Sequence, residues 1–133
     1  MDKKDFTYNI PVRYFDLDTN NHVNNSVYFT YMEEARTKLM LKEFLVFYEN
    51  GIGFVVTEAK CKYKKPIRIQ DRVSIRISVE NIKGISFNIR YLFTDPSGQL
   101  YAEGSTRLAC IDKKTQKLIR LPQEMINFLQ ELV

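Results

Sequence analysis

Between residues 72 and 111 apolar and polar residues alternate almost without a break, and this pattern constrains the fold most. Val73, Ile75, Ile77 and Val79 alternate with Arg72, Ser74, Arg76 and Ser78. After Asn81-Ile82-Lys83-Gly84 the pattern resumes as Ile85, Phe87, Ile89, Tyr91 and Phe93. Asp95-Pro96-Ser97-Gly98 is a strong turn signal, and residues 99–111 read as another strand with Gly104 inside it as a bulge or close contact. Successive side chains of a strand point to opposite faces, so a period of two implies a sheet with one buried face. Turns this short join antiparallel neighbours. An earlier strand, residues 54–64, puts Val55, Thr57, Ala59, Cys61 and Tyr63 on one face and Glu58, Lys60, Lys62 and Lys64 on the other, before Pro66.

Such a sheet needs something to cover its apolar face. Residues 25–49 supply it: Tyr28, Met32, Ala35 and Leu39 recur at helical spacing, with Tyr31 beside them. Asn24 or Asn25 suits the N-cap and Asn50-Gly51 the stop. Leu39, Met40, Leu41, Phe44, Leu45 and Phe47 cover most of the helix circumference, so it asks for burial on more than one side. A short strand over residues 6–10 precedes Pro11, and residues 118–121 pair briefly before Pro122. Residues 123–132 form a short amphipathic helix with Met125, Phe128, Leu129 and Leu132 inward. The expectation is an α+β domain: an antiparallel sheet with one long helix on its buried face.

The chain has 133 residues, which suits one domain, residues 1–133, with a core that needs no disulfides. The charged start, residues 1–5, leads into no apolar stretch, so it is no signal peptide. No apolar run approaches the roughly 20 residues that span a bilayer, so no membrane association and a cytoplasmic location are expected. Cys61 and Cys110 have no Cys or His at metal-ligand spacing and read as small hydrophobes; no metal is expected. The net charge of +4 owes much to Lys60, Lys62, Lys64, Lys65 and Arg68. These residues read either as the solvated face of an edge strand or as a docking surface for a phosphorylated or acidic partner. No nucleic-acid-binding motif accompanies them.

Chemistry concentrates between the first strand and the long helix. Asp16-Leu17-Asp18-Thr19-Asn20-Asn21-His22-Val23-Asn24-Asn25 holds two carboxylates, four Asn and the only His of the chain. Together with the element order, this segment resembles the hotdog-fold thioesterases of the 4-hydroxybenzoyl-CoA thioesterase type, over nearly the whole chain. Glu33-Glu34-Ala35-Arg36 looks like that family's acidic-Ala-Arg helix segment, and Tyr63-Lys64-Lys65-Pro66 is similar to its Tyr-x-x-Pro strand end. Gln70 stands where the family usually has Gly. Bacterial acyl-CoA thioesterases of this fold carry an aromatic residue before Asp-x-Asp, which Tyr14 and Asp18 match; some carry His where this chain has Asn25. Acyl-carrier-protein thioesterases carry Asp-x-Asn-x-His-Val-Asn-Asn-x-x-Tyr. The run from Asp18 to Tyr28 matches every specified position of it.

The resemblance implies a curved antiparallel sheet wrapped around a central helix, and hydrolysis of acyl-CoA or acyl-carrier-protein thioesters without a cofactor. It also implies a homodimer, or a tetramer built from dimers. It points to Asp18, Asn20 and His22 as catalytic and to Tyr14 and Tyr28 at the substrate. A carboxylate can serve a thioesterase as base or nucleophile, and partial desolvation would bring Asp18 into a useful range. The first helix amides, near Asn24 and Asn25, lack intrahelical partners and suit an oxyanion. Asn20 could fix a water or the Asp18 rotamer, and His22 could shuttle a proton. Lys60, Lys62, Lys64, Lys65 and Arg68 are candidates for CoA phosphates or an acidic carrier. Asp16 reads as a turn or cap residue. Two other readings stand beside hydrolysis: a non-catalytic acyl-thioester-binding hotdog and a hotdog dehydratase acting on 3-hydroxyacyl thioesters. The intact Asp18-x-Asn20-x-His22 set speaks against the first, and the motif fits the second less well.

Overall fold

The computed structural model describes residues 6–133; residues 1–5, the charged start, lie outside them. In chain order the elements are β1 (Thr7–Ile10), a 3-10 turn (Tyr14–Asp16), α1 (Val27–Glu49), β2 (Ile52–Tyr63), β3 (Val73–Lys83), β4 (Ser86–Thr94), β5 (Leu100–Asp112) and α2 (Gln123–Gln130). The five strands form one antiparallel sheet in the order β1-β3-β4-β5-β2. The short strand β1 and the long strand β2 are its two edges.

The alternation read from the sequence is the packing code. Val73, Ile75, Ile77 and Val79 of β3 and Phe87, Ile89, Tyr91 and Phe93 of β4 are all buried. On α1, Tyr28, Tyr31, Met32, Ala35 and Met40 are buried against them, so the helix closes the apolar face of the sheet. The second helix adds Met125, Leu129 and Leu132 to the same core, as its amphipathic spacing implies. Each fully buried apolar side chain of this kind contributes about 1.5–3 kcal/mol. The pairing expected near Leu118 is one bridge, to Ile111.

The ends of α1 follow from single residues. The N-cap is Ser26, not Asn24 or Asn25 as expected, and Asn24 organises the entrance from two residues before it. The Asn24 Oδ1 accepts from the backbone N–H of Ser26 at 3.0 Å and from its hydroxyl at 2.9 Å, and the Asn24 carbonyl accepts from Val27 N–H. The helix stops where Asn50 N–H reaches back to Phe47 and Gly51 takes φ 89°, a value open to glycine at little cost. No helix of the described residues is long and apolar enough to cross a membrane.

Strand β2 departs from strict alternation. Phe54 and Val56 stand opposite Cys110 and Leu108, whereas Ala59, Cys61 and Tyr63 stand opposite Thr106, Gly104 and Ala102. A bulge between Val56 and Glu58 shifts the register by one residue, so the inward set changes from even to odd numbers. Val55, expected on the same face as Ala59, Cys61 and Tyr63, therefore lies on the opposite one, and Thr57 is the inserted residue.

Candidate active site

The polar loop between β1 and α1 is a hairpin-like excursion pinned at both ends. Asp18 N–H donates to the carbonyl of His22 at 2.7 Å, and Leu17 bridges to Val23. Asn21, in the left-handed region at φ 59°, lets the chain reverse; Asn tolerates that conformation better than most residues. Val23 is buried, and its N–H donates to the carbonyl of Ile67, which ties the loop to the segment following β2.

The two aspartates have separate environments. Asp16 is buried and accepts, through Oδ2, the Tyr31 hydroxyl at 2.6 Å and the Arg13 backbone N–H at 3.0 Å. It caps the 3-10 turn by accepting the Arg13 N–H. Asp18 is exposed. Its Oδ1 accepts the backbone N–H of Asn20 at 2.8 Å and of His22 at 3.2 Å, an Asx turn that fixes the carboxylate's direction. Its other oxygen takes no hydrogen bond from any described residue.

A cleft of about 280 Å³ opens beside Asp18. It is lined by Asp18, His22, Asn25, Tyr28, Tyr63 and Lys64, with Val23, Lys65 and Pro66. Six of the expected site residues, Asp18, His22, Asn25, Tyr28, Lys64 and Lys65, are thus brought together. Asn20 supplies its backbone amide to Asp18 but does not line the cleft. Tyr14 stands outside it, 78% exposed on the 3-10 turn. Asn24 is occupied with the helix entrance, and its own N–H donates to the carbonyl of Asp16. Of the amides at this entrance, those of Asn25 and Tyr28 are not taken up in this way.

The basic stretch, grouped as one surface in the sequence, falls into three places. Lys64 and Lys65 line the cleft. Arg68 lies in the adjoining groove with Gln70, Asp71 and Arg72. Lys60 and Lys62 stand on the outer face of the sheet beside Glu80, Arg90 and Glu103. Lys60 pairs with Glu58, and Lys65 pairs with Asp95 at 2.5 Å. Lys64 and Arg68 form no ion pair with a described residue, so their charge is available to an anion.

Tyr63 is the residue the sequence reading did not assign to the site. Its hydroxyl donates to the carbonyl of Asn25 at 2.9 Å, and its ring meets that of Tyr28 edge-on at 4.8 Å. It therefore holds the helix entrance against the end of β2. Its place in Tyr63-x-x-Pro66 was the only available signal. Burial pushes the Tyr28 hydroxyl up to about 12 and the Cys61 thiol up to about 11, so both stay protonated at neutral pH. Cys61 is thereby a poor nucleophile. Among the described residues no cluster of three His, Cys, Asp or Glu could hold a metal ion.

Comparison with known proteins gives a consistent pattern. The family model of the thioesterase-like superfamily matches residues 12–129. The long-chain acyl-CoA thioesterase FadM of Escherichia coli K12 is 32% identical over 127 residues, 93% of this chain and 96% of that protein. The crystal structure of YbaW, a probable thioesterase from Escherichia coli, superposes with a TM-score of 0.87 at 32% identity, covering 96% of this chain and 98% of its own. DHNA-CoA thioesterase from Staphylococcus aureus superposes with a TM-score of 0.82 at 27% identity, covering 94% and 86%.

Proposed function

The chain belongs to the thioesterase-like superfamily and hydrolyses acyl thioesters, and from that premise we propose that its substrate is an acyl-CoA whose thioester carbon sits beside Asp18. The observation that carries this reading is the shared cleft: Asp18, His22, Asn25, Tyr28 and Lys64 line one space. The free oxygen of Asp18 takes a proton from the attacking water or attacks the carbonyl itself; both routes need the same unpartnered oxygen. The Asn25 and Tyr28 amides, at the positive end of α1, receive the charge that develops on the carbonyl oxygen. His22 stands close enough to the cleft to return a proton to the leaving thiolate. Lys64 and Arg68 meet the phosphates of CoA, and Lys65, paired with Asp95, frames the opening. Acyl-carrier-protein thioesters are the second substrate class, favoured by the full motif match from Asp18 to Tyr28.

We further propose a homodimer. Leu41, Leu45, Val46 and Tyr48 on α1, and Val56 on the side of β2 that faces α1, are exposed apolar residues. A face of this kind on a small domain is stabilised by a second copy. This agrees with the sequence reading of a helix that needs burial on more than one side.

The test is purified protein against a panel of acyl-CoA and acyl-carrier-protein thioesters of graded chain length, with release of free thiol followed. Hydrolysis of at least one acyl-CoA is expected. Asp18→Asn and Asp18→Ala should lower kcat by about 100- to 10,000-fold while leaving the fold intact. Activity should weaken as ionic strength rises, through KM, because exposed cations are screened. An inert wild type, or a folded Asp18→Ala with full rate, would refute the reading.

A further inference from the structure

Asp16 is the only charged residue buried among the described residues. A buried carboxylate is costly, and replacing a buried ion pair by apolar groups is often neutral for stability. What such a group supplies is direction. Its Oδ2 accepts three donors: Tyr31 hydroxyl at 2.6 Å, Arg13 N–H at 3.0 Å and Arg13 Nε at 3.3 Å. The Arg13 guanidinium continues to Glu34 at 2.5 Å, so the segment before the loop is fastened to α1 at Tyr31 and Glu34, one helical turn apart. At the same residue the Asp16 carbonyl accepts Asn24 N–H at 2.8 Å. Asp16 thus clamps the loop's entry and its exit. Asp18 lies two residues inside the entry, and Asn25 one residue beyond the exit.

We propose that Asp16, held by Tyr31 and Arg13, is the positioning residue of the thioesterase site: it sets where the Asp18 carboxylate stands relative to the helix entrance at Asn25. The inference rests on Asp18 being the catalytic carboxylate. Its physical content is that Tyr31 and Arg13 tie the loop's entry to α1, while Val23 N–H ties its far side to Ile67. A small rotation at Asp16 swings Asp18 away from the substrate carbon, and misplacement by about an ångström can cost on the order of 100-fold in rate. Substrate binding, which draws on Lys64, Arg68 and the acyl contacts, does not pass through Asp16.

Tyr31→Phe is the sharpest variant, because it removes one oxygen and keeps the buried ring. Asp16→Asn keeps the volume and removes the charge. Both are expected to fold, by circular dichroism, and to lower kcat by about 10- to 100-fold with KM changed less than about twofold. A residue important only for stability would lower the melting temperature and leave kcat per folded molecule unchanged. The double-mutant cycle is decisive. In an Asp18→Asn background, Tyr31→Phe should cost less than about twofold more, because the group it positions is already gone. Folded Tyr31→Phe and Asp16→Asn proteins with wild-type kcat would overturn the proposal, as would an equal Tyr31→Phe penalty in both backgrounds. Full activity of Asp18→Asn itself would instead remove the catalytic reading beneath it.

Discussion

At Gly104 the sheet and the central helix touch. A methyl group built there would lie 2.1 Å from the Met32 Cε and 3.3 Å from the Lys60 carbonyl oxygen, so only a residue without a Cβ lets Met32 lie flat on β5. The sequence offered two readings of this glycine, a bulge or a close contact. The pairing runs through Gly104 without a register shift, so the contact is the reason. Gly104→Ala is expected to cost about 1–3 kcal/mol in urea unfolding, with part recovered when Met32 is shortened in the same chain. The two aspartates were separable from sequence only through the family motif. Nothing in their spacing tells which one will be buried, since that depends on Tyr31 arriving from another element. Tyr63 was hidden for the same reason: its bond to the Asn25 carbonyl joins positions 38 residues apart.

Element boundaries were legible to within two residues in β4 and α2, whereas β3 continues to Lys83 through an irregularity after Glu80, so the turn expected over residues 81–84 is confined to Gly84 and Ile85. β2 was misread over its first half because a period of two carries no mark of an inserted residue. Val55, Val56 and Thr57 are all suited to strands, and nothing in them announces the bulge. The turn between β4 and β5 was legible as a turn, and its bonds come from the structure. The Asp95 Oδ1 accepts from Ser97 N–H, the Ser97 hydroxyl and Gln99 N–H, and its Oδ2 accepts from Lys65 at the mouth of the cleft. The Lys65 ammonium, with these donors, holds the Asp95 carboxyl well below the usual carboxylate range. Because the native value is the lower one, this stabilisation is present above the ordinary carboxylate pKa of about 3.9. It is lost as the pH falls through the native value. Wild type should therefore lose more stability than Asp95→Asn between about pH 5 and about pH 2, measured by urea unfolding at each pH.

For the whole molecule, the sequence foresaw one helix against an antiparallel sheet. It could not foresee the strand order, in which β1 and β2, consecutive strands in the chain, become opposite edges. Among the exposed apolar residues, Leu45 and Val46 on α1 and Val56 on β2 belong to the surface proposed for a second copy. Charging that surface with Leu45→Glu and Val56→Glu should shift the sedimenting species from dimer to monomer; an unchanged dimer would place the contact elsewhere. The two edges differ in length. β2 offers twelve residues, whereas β1 offers four and is followed by Pro11, which has no N–H to give a ladder. Two chains joined through β2 expose only β1 at either end of the joined sheet, and so present no template for a third. In a dimer paired through β2, growth strand by strand would stop after one pairing, and a larger particle would be stacked face to face.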